Sequence, residues 1–160
     1  MDDHTGLPAF HFDRTKSGLE VAQDWIAQGY VSGFSGALRV KPVWAQRGAA
    51  RFTCAVEGRH SNFVGLVHGG VAAALVDMAA GTAAMTLIGP GETILTVDMS
   101  IRYLNPAPLA VEELTANAVV TYHDARKAIC DAKVTDRAGN LIVLGTAHIA
   151  LRPARKAKES

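Results

Sequence analysis

The residues from 68 to 77 combine a turn that could bind an anion with a carboxylate in an unusual setting. His68, Gly69 and Gly70 come first, and Asp77 follows seven residues after Gly70. Backbone N–H groups at the start of a helix can hold an oxyanion or polarise a carbonyl group. A carboxylate among apolar residues is costly without a polar partner, and such carboxylates cluster at functional sites. The structural alternatives are a tight Gly-Gly turn and an Asp77 that is solvated or paired with a buried polar group.

The element that must position these groups is an alanine-rich helix predicted over residues 69–87 and ended by Gly89, Pro90 and Gly91. One face is mostly bulky and the other is small. The bulky face carries Val71, Leu75, Met78, Thr82 and Met85; the small face carries Gly70, Ala73, Ala74, Asp77, Ala80, Gly81 and Ala84. Both faces are largely apolar, so we expect a helix that is buried almost all round and does not span a membrane.

The spacing of Gly70 and Asp77 limits how they can act together. Seven residues are two helical turns, which places both on one face but about 10 Å apart along the axis. Reacting atoms must approach to ~3–3.5 Å, so one helix can hardly direct both groups at one carbonyl. The spacing therefore predicts an oligomer with its site between subunits, and an inactive monomer.

The remaining chain indicates an α+β architecture. Ser17 and Glu20 match a capping box, which predicts a short helix over residues 18–28. Apolar alternation and turn residues predict a loop at 58–68 and antiparallel strands at 36–45, 49–57, 93–103, 112–122, 126–135 and 140–151. In the strand at 93–103, the alternation places Val97, Met99, Ile101 and Tyr103 on one face, and Thr96, Asp98, Ser100 and Arg102 on the other.

The composition excludes several classes of protein. The 160 residues are 49% hydrophobic and 19% charged, which is typical of one globular domain. A net charge of +1 gives no strong field for nucleic acid or an anionic membrane. The start of the chain lacks the apolar segment of a secretory signal, the two cysteines form no CxxC pair, and the histidines lack metal-ligand spacing. We expect a cytoplasmic protein without metal, cofactor, nucleic-acid partner or membrane partner.

Three segments together resemble one known family. They are residues 62–70 (NFVGLVHGG), 75–81 (LVDMAAG) and 96–106 (TVDMSIRYLNP). This combination resembles the PaaI-like, phenylacetate-degradation branch of hotdog thioesterases, over about residues 36–151. The resemblance implies a hotdog fold, with a long central helix wrapped by a curved antiparallel sheet of about six strands. It also implies a homodimer with interface active sites, and often a dimer of dimers, which is a homotetramer.

The resemblance also implies roles for individual residues. Gly70 matches the backbone N–H that polarises the thioester carbonyl, and Asp77 matches the partner subunit's general base or nucleophile. Asn62 matches the side chain that orients the thioester or the water, and His68 matches the loop histidine beside the thioester. Thr96 falls where relatives carry a Ser or Thr that holds the water. Each also has an ordinary interpretation: Asn62 as an Asx turn, His68 as a helix cap or packing residue, and Thr96 as a plain strand threonine.

Three further residues are assigned to substrate binding. Gly69 adds a second N–H at the helix start, and Arg126 and Lys127 could contact the phosphates of CoA from a hairpin. The alternative for Arg126 and Lys127 is a solvated turn.

The sequence thus predicts an acyl-CoA thioesterase for aryl or medium-chain acyl groups. The alternatives are a non-catalytic acyl-CoA-binding protein and a hotdog enoyl-thioester hydratase. We expect an N-terminal arm and short helix over 1–35, the hotdog domain over 36–152 and a disordered basic tail over 153–160.

Overall fold

Three helices and six strands build the chain in the computed structural model, which describes residues 6–153. The helices are α1 (Gly18–Gln28), α2 (Phe34–Ala37) and α3 (Gly69–Met85). The strands are β1 (Val40–Gln46), β2 (Ala49–Ala55), β3 (Thr93–Tyr103), β4 (Glu113–His123), β5 (Lys127–Asp136) and β6 (Leu141–Arg152). The predicted α+β architecture is confirmed. The basic residues 155–158 of the predicted tail lie outside the described residues.

One antiparallel sheet holds all six strands in the order β1-β2-β4-β5-β6-β3. Helix α3 packs against every strand of the sheet, and the hydrophobic core lies between the helix and the sheet. Strands β1 and β3 form the two edges, so β3 pairs only with β6 among the described strands. Among residues 6–153, no helix is long and apolar enough to cross a membrane.

Small side chains let α3 lie close to the sheet. Leu75 and Val76 are fully buried, and so are the alanines of the following two turns. Opposite Val76, β6 carries Gly145, where an added Cβ would lie only 2.6 Å from Val76 Cγ1. The expectation that α3 is buried on nearly all sides is confirmed, and this close packing fixes the position of the helix relative to β6.

Helix α1 covers the C-terminal end of α3. It begins and ends at the predicted residues, and the predicted capping box is present: Ser17 N–H donates to Glu20 Oε2 at 2.8 Å. Val21 and Ala22 pack against Met85 and Ile88. The N-terminal segment is therefore attached where α3 ends, away from the Gly-Gly start of the helix.

The prediction of a strand over 36–45 was wrong at its start. Residues 34–37 form the short helix α2, and β1 begins only at Val40. Arg39 has a φ of 53°, in the left-handed region that β-strands do not use. The extended backbone therefore cannot continue back past Arg39. Two smaller differences are a 3-10 turn at Gly58–His60 in the predicted loop and the end of α3 at Met85 rather than at 87.

A β-bulge in β3 overturns the predicted alternation of that strand. Thr96 pairs with Ile149 and Asp98 pairs with His148, so Val97 is an extra residue without a cross-strand partner. The bulge turns Val97 outward, where its side chain is 66% exposed, and leaves Thr96 on the same side as Ile94 and Met99. Thr96 thus faces α3, although simple alternation placed it on the opposite face from Met99.

Candidate active site

The start of α3 is capped by the side chain of the preceding histidine. His68 is the N-cap residue, and Gly70 N–H donates a hydrogen bond to His68 Nδ1 at 2.9 Å. Both residues are exposed. The capping interpretation of His68 is confirmed, and it changes the expectation for Gly70. Its N–H already has an acceptor, so a ligand carbonyl would have to replace the imidazole nitrogen.

A cavity of about 320 Å³ opens beside this helix start. Its lining includes three residues predicted from the sequence, Asn62, His68 and Gly69, and one that sequence reasoning missed, Tyr103. The other lining residues are mostly apolar: Leu66, Val67, Ala72, Leu104, Asn105, Pro106, Ala107, Leu114 and Ile142. Tyr103 is the aromatic residue that ends the alternating strand at 93–103, and this position was the available signal for it. The alternation does not indicate that this end of the strand meets the start of α3.

Asn62 combines a turn role with unused donors. Its Oδ1 accepts hydrogen bonds from the N–H groups of Val64 and Leu66, both at 3.0 Å, so the Asx-turn interpretation is confirmed for that oxygen. Its Nδ2 group makes no hydrogen bond to another residue within 6–153, and the residue is half-buried at the cavity. The amide NH₂ group is therefore positioned to donate to a ligand.

Asp77 of α3 and Thr96 of β3 form a second polar group. Thr96 Oγ1 donates to Asp77 Oδ1 at 2.8 Å, and both side chains are half-buried. The bulge at Val97 makes this bond possible because it keeps Thr96 facing α3. The bond occupies Oδ1 and leaves Oδ2 for another partner. Neither residue lines the cavity at the start of α3.

The two groups lie about two helical turns apart along α3, one at its start and one near its middle. Asp77 meets Thr96, and two helical turns earlier Gly69 O accepts a hydrogen bond from Tyr103 Oη at 3.0 Å. We name Asn62, His68, Gly69, Gly70 and Tyr103 the amide half-site, and we name Asp77 with Thr96 the carboxylate half-site. Within one chain the structure does not bring Gly70 and Asp77 together, because about 10 Å of helix separates them.

Arg126 and Lys127 lie in the hairpin between β4 and β5. Asp124 Oδ1 accepts hydrogen bonds from both backbone N–H groups, at 2.8 and 3.1 Å, and these bonds lower the pKa of Asp124. The two basic side chains are exposed. Lys127 pairs with Ala150, which pairs with Leu95, so the hairpin lies about 10 Å across the sheet from Leu95. The hairpin is therefore at the end of the sheet that holds the carboxylate half-site.

A buried histidine supports the loop of the amide half-site. The side chain of His60 is only 2% exposed, and its Nδ1 accepts from Glu57 N–H at 2.9 Å. Its backbone oxygen accepts from His68 N–H at 2.7 Å. Burial lowers the pKa of His60 below its usual value of 6.5, because the protonated imidazole would lose its hydration.

Known proteins share both the sequence pattern and the fold. The sequence profile of the Thioesterase superfamily matches residues 64–143, which is half of the chain and contains Gly69, Gly70, Asp77, Thr96 and Tyr103. The chain belongs to this superfamily. Acyl-coenzyme A thioesterase 13 of Homo sapiens is 36% identical over 97 residues, which are 59% of this chain and 68% of that protein.

Solved structures confirm the predicted hotdog fold and the likeness to PaaI. The PaaI protein from the phenylacetic acid degradation operon of E. coli has a TM-score of 0.66 and 21% identity, over 72% of this chain and 81% of that chain. A thioesterase-like protein of Streptococcus pneumoniae, solved with coenzyme A, has a TM-score of 0.64 and 22% identity, over 73% of this chain and 91% of that one.

The buried His60 predicts a loss of stability in mild acid. The unfolded chain binds a proton at His60 near pH 6.5, whereas the folded chain binds it only at lower pH, so the contribution of neutral His60 is complete above that value and declines as pH falls below it. His60→Asn keeps an acceptor for Glu57 N–H and removes the titrating group. Urea unfolding between pH 7.5 and 5 should show a smaller decline in the variant, and equal declines would contradict the assignment.

Proposed function

We propose that this protein is an acyl-CoA thioesterase, which hydrolyses the thioester of an acyl-CoA to a free acid and CoA. The observation that carries the proposal is the pair of half-sites on α3: a helix-start amide beside a cavity, and a carboxylate held by a threonine. Membership of the Thioesterase superfamily supports the thioester as substrate. The human relative is named an acyl-coenzyme A thioesterase, and the streptococcal structure contains coenzyme A. Both observations support CoA as the leaving group.

The separation of the half-sites requires a second copy of the chain. Strand β3 is an edge of the sheet, and it exposes apolar side chains, with Leu95 60% and Val97 66% accessible. An edge strand with unpaired N–H and C=O groups can pair with the same strand of another molecule. We therefore propose a homodimer in which the two β3 strands pair antiparallel around a two-fold axis.

The register of that pairing follows from the positions of the half-sites on β3. Thr96 marks the carboxylate half-site, and Tyr103 marks the amide half-site. Under two-fold symmetry, residue 96 of each copy must lie opposite residue 103 of the other, which centres the pairing between Met99 and Ser100. Each dimer then has two complete sites, one at each end of the paired strands.

The chemistry divides between the two copies. The thioester carbonyl replaces His68 as the acceptor of Gly70 N–H, which stabilises the negative charge that develops on the carbonyl oxygen. Asn62 Nδ2 donates to the substrate or to the attacking water. Asp77 of the other copy, with Oδ1 held by Thr96, uses Oδ2 either to take a proton from water or to attack the carbonyl carbon. In the first route the activated water attacks the carbonyl carbon, the C–S bond breaks, and the proton taken by Asp77 passes to the leaving sulfur of CoA. In the second route the attack of Asp77 expels the CoA thiolate and leaves an anhydride; water then hydrolyses the anhydride, which releases the acid, restores Asp77 and supplies the proton to the thiolate.

The surroundings of the half-sites support the substrate class. The largely apolar cavity at the amide half-site suits an aryl or medium-chain acyl group. Arg126 and Lys127 are proposed to bind CoA phosphates at the sheet end that carries the carboxylate half-site.

The cysteines Cys54 and Cys130 are buried free thiols, which supports a cytoplasmic protein. Pairing of two dimers into a tetramer is proposed from the family resemblance.

Removal of the carboxylate should abolish the activity. Asp77→Asn is expected to lower kcat by about 10²–10⁴-fold, because the amide cannot act as base or nucleophile. Thiol release from aryl- and aliphatic-CoA substrates measures the effect. Asp131→Asn is the matched control, since Asp131 also accepts from a threonine, Thr146 Oγ1, at 2.8 Å, but on the exposed face of the sheet. Water addition to an enoyl-CoA would favour a hydratase, and tight binding without turnover by wild type would favour a binding protein.

Mixing of two inactive variants should restore activity if the site lies between copies. Asp77→Asn damages only the carboxylate half-site, and Asn62→Ala damages only the amide half-site. A mixed dimer has one intact site of its two, so an equimolar mixture refolded together should recover about one quarter of wild-type activity. A mixture of Asp77→Asn with Thr96→Val, both in the carboxylate half-site, should show no more than the average of its components. No recovery in the first mixture would place the whole site within one chain.

A charge on the proposed interface should prevent dimer formation. Val97→Lys places an ammonium group on the β3 edge, opposite Arg102 of the other copy in the proposed register, so pairing would bring like charges together and desolvate them. Sedimentation should show a monomer, and thiol release should fall in proportion to the monomer fraction. Val119→Lys is the control, because Val119 is also exposed but lies on β4 in the middle of the sheet. An active, dimeric Val97→Lys variant would contradict pairing through β3.

A further inference from the structure

Tyr103 makes one directed contact with the start of α3, although its side chain is 56% exposed. Its hydroxyl donates to Gly69 O at 3.0 Å. Its ring lies directly over Gly69, so an added Cβ on that glycine would be 3.0 Å from Tyr103 Cε1 and 3.1 Å from Cζ. An added Cβ at Gly69 would therefore push the tyrosine ring away by a few tenths of an ångström. The backbone of Gly69 does not itself call for glycine, since its φ is not in the left-handed region.

The bonded oxygen belongs to the same peptide group as the donor assigned to the thioester. Gly69 C=O and Gly70 N–H are joined by one planar amide, with the oxygen and the hydrogen on opposite sides. A hydrogen bond from Tyr103 to the oxygen adds to the helical bond that this oxygen accepts from Ala73 N–H, and both hold the plane of the amide. The bond from Tyr103 also draws electron density toward the oxygen, which makes the N–H a stronger donor through cooperative polarisation.

The hydrogen bond from Tyr103 can keep the peptide group oriented when a substrate displaces His68. In the free chain Gly70 N–H is held by His68 Nδ1 at 2.9 Å. When a substrate carbonyl takes that N–H, the imidazole no longer orients the peptide group. The bond from Tyr103 is on the opposite side of the amide, so it remains in place during the exchange of acceptors.

We infer that Tyr103 is a positioning residue of the oxyanion donor: its hydroxyl orients and polarises the Gly69–Gly70 peptide group for the carbonyl bound at Gly70 N–H. The inference rests on the proposed thioesterase function. Tyr103 acts through Gly70 and does not itself need to touch the reacting atoms.

Tyr103→Phe tests the inference because it keeps the ring over Gly69 and removes only the hydroxyl. Loss of one hydrogen bond of ordinary strength should lower kcat about fivefold. KM should change less than about twofold, because the charge on the carbonyl oxygen develops mainly in the transition state. Tyr30→Phe is the control, since the Tyr30 ring contacts Arg39 and Lys41, which belong to neither half-site. It should keep the wild-type kcat. A second variant, Gly69→Ala, should lower kcat by pushing the ring away from the peptide group.

A spectroscopic measurement separates polarisation from loss of folding. The amide ¹⁵N resonance of Gly70 in the substrate-free protein should move upfield in Tyr103→Phe and stay in place in Tyr30→Phe. An unchanged Gly70 resonance, or a wild-type kcat in Tyr103→Phe, would overturn the inference while leaving the proposed function intact. Absence of thiol release by wild type would instead overturn the proposed function, and the Gly70 resonance would still report whether the hydrogen bond polarises the peptide group.

Discussion

The geometry of one helix controls how this protein can act. Gly70 and Asp77 are fixed to the same face of α3, and the rise of the helix keeps them about 10 Å apart. No side-chain rotation closes that distance, because the donor at Gly70 is a backbone group. The edge strand, the exposed apolar residues on it and the location of the cavity fit the proposal that two copies of this helix form one site.

The bulge at Val97 connects the carboxylate to the rest of the fold. With regular alternation, Thr96 would point away from α3, and Asp77 would lie half-buried without the 2.8 Å bond to the Thr96 hydroxyl. The bulge shifts the alternation so that Thr96 faces Asp77, and it also exposes the bulge residue, Val97, on the strand edge. A single irregularity thus prepares both the carboxylate half-site and the surface that is proposed to meet the second copy.

The start of α3 shows how a helix cap and a ligand site can share the same atoms. The N–H at Gly70 needs an acceptor in the free chain, and His68 supplies it. On the other side of the Gly69–Gly70 peptide, Tyr103 supplies a donor to Gly69 O. The arrangement gives Gly70 N–H an acceptor in the free protein, while the imidazole can be exchanged for a substrate carbonyl at little net cost in hydrogen bonding.

Local patterns determined much of this protein. The capping box at Ser17, the alanine-rich stretch ended by glycines and proline, and the alternating strands were sufficient to predict α1, α3 and the antiparallel sheet, because caps and periodicity depend on neighbouring residues. Spacing alone indicated that Gly70 and Asp77 cannot act together within one chain. Tertiary structure decided the left-handed Arg39 that shortens β1, the bulge that turns Thr96 toward Asp77, the hydrogen bond from Tyr103 to Gly69, and the position of the Arg126 hairpin. These features depend on contacts between residues far apart in the chain, and no local period or cap encodes which strand end meets which turn of the helix.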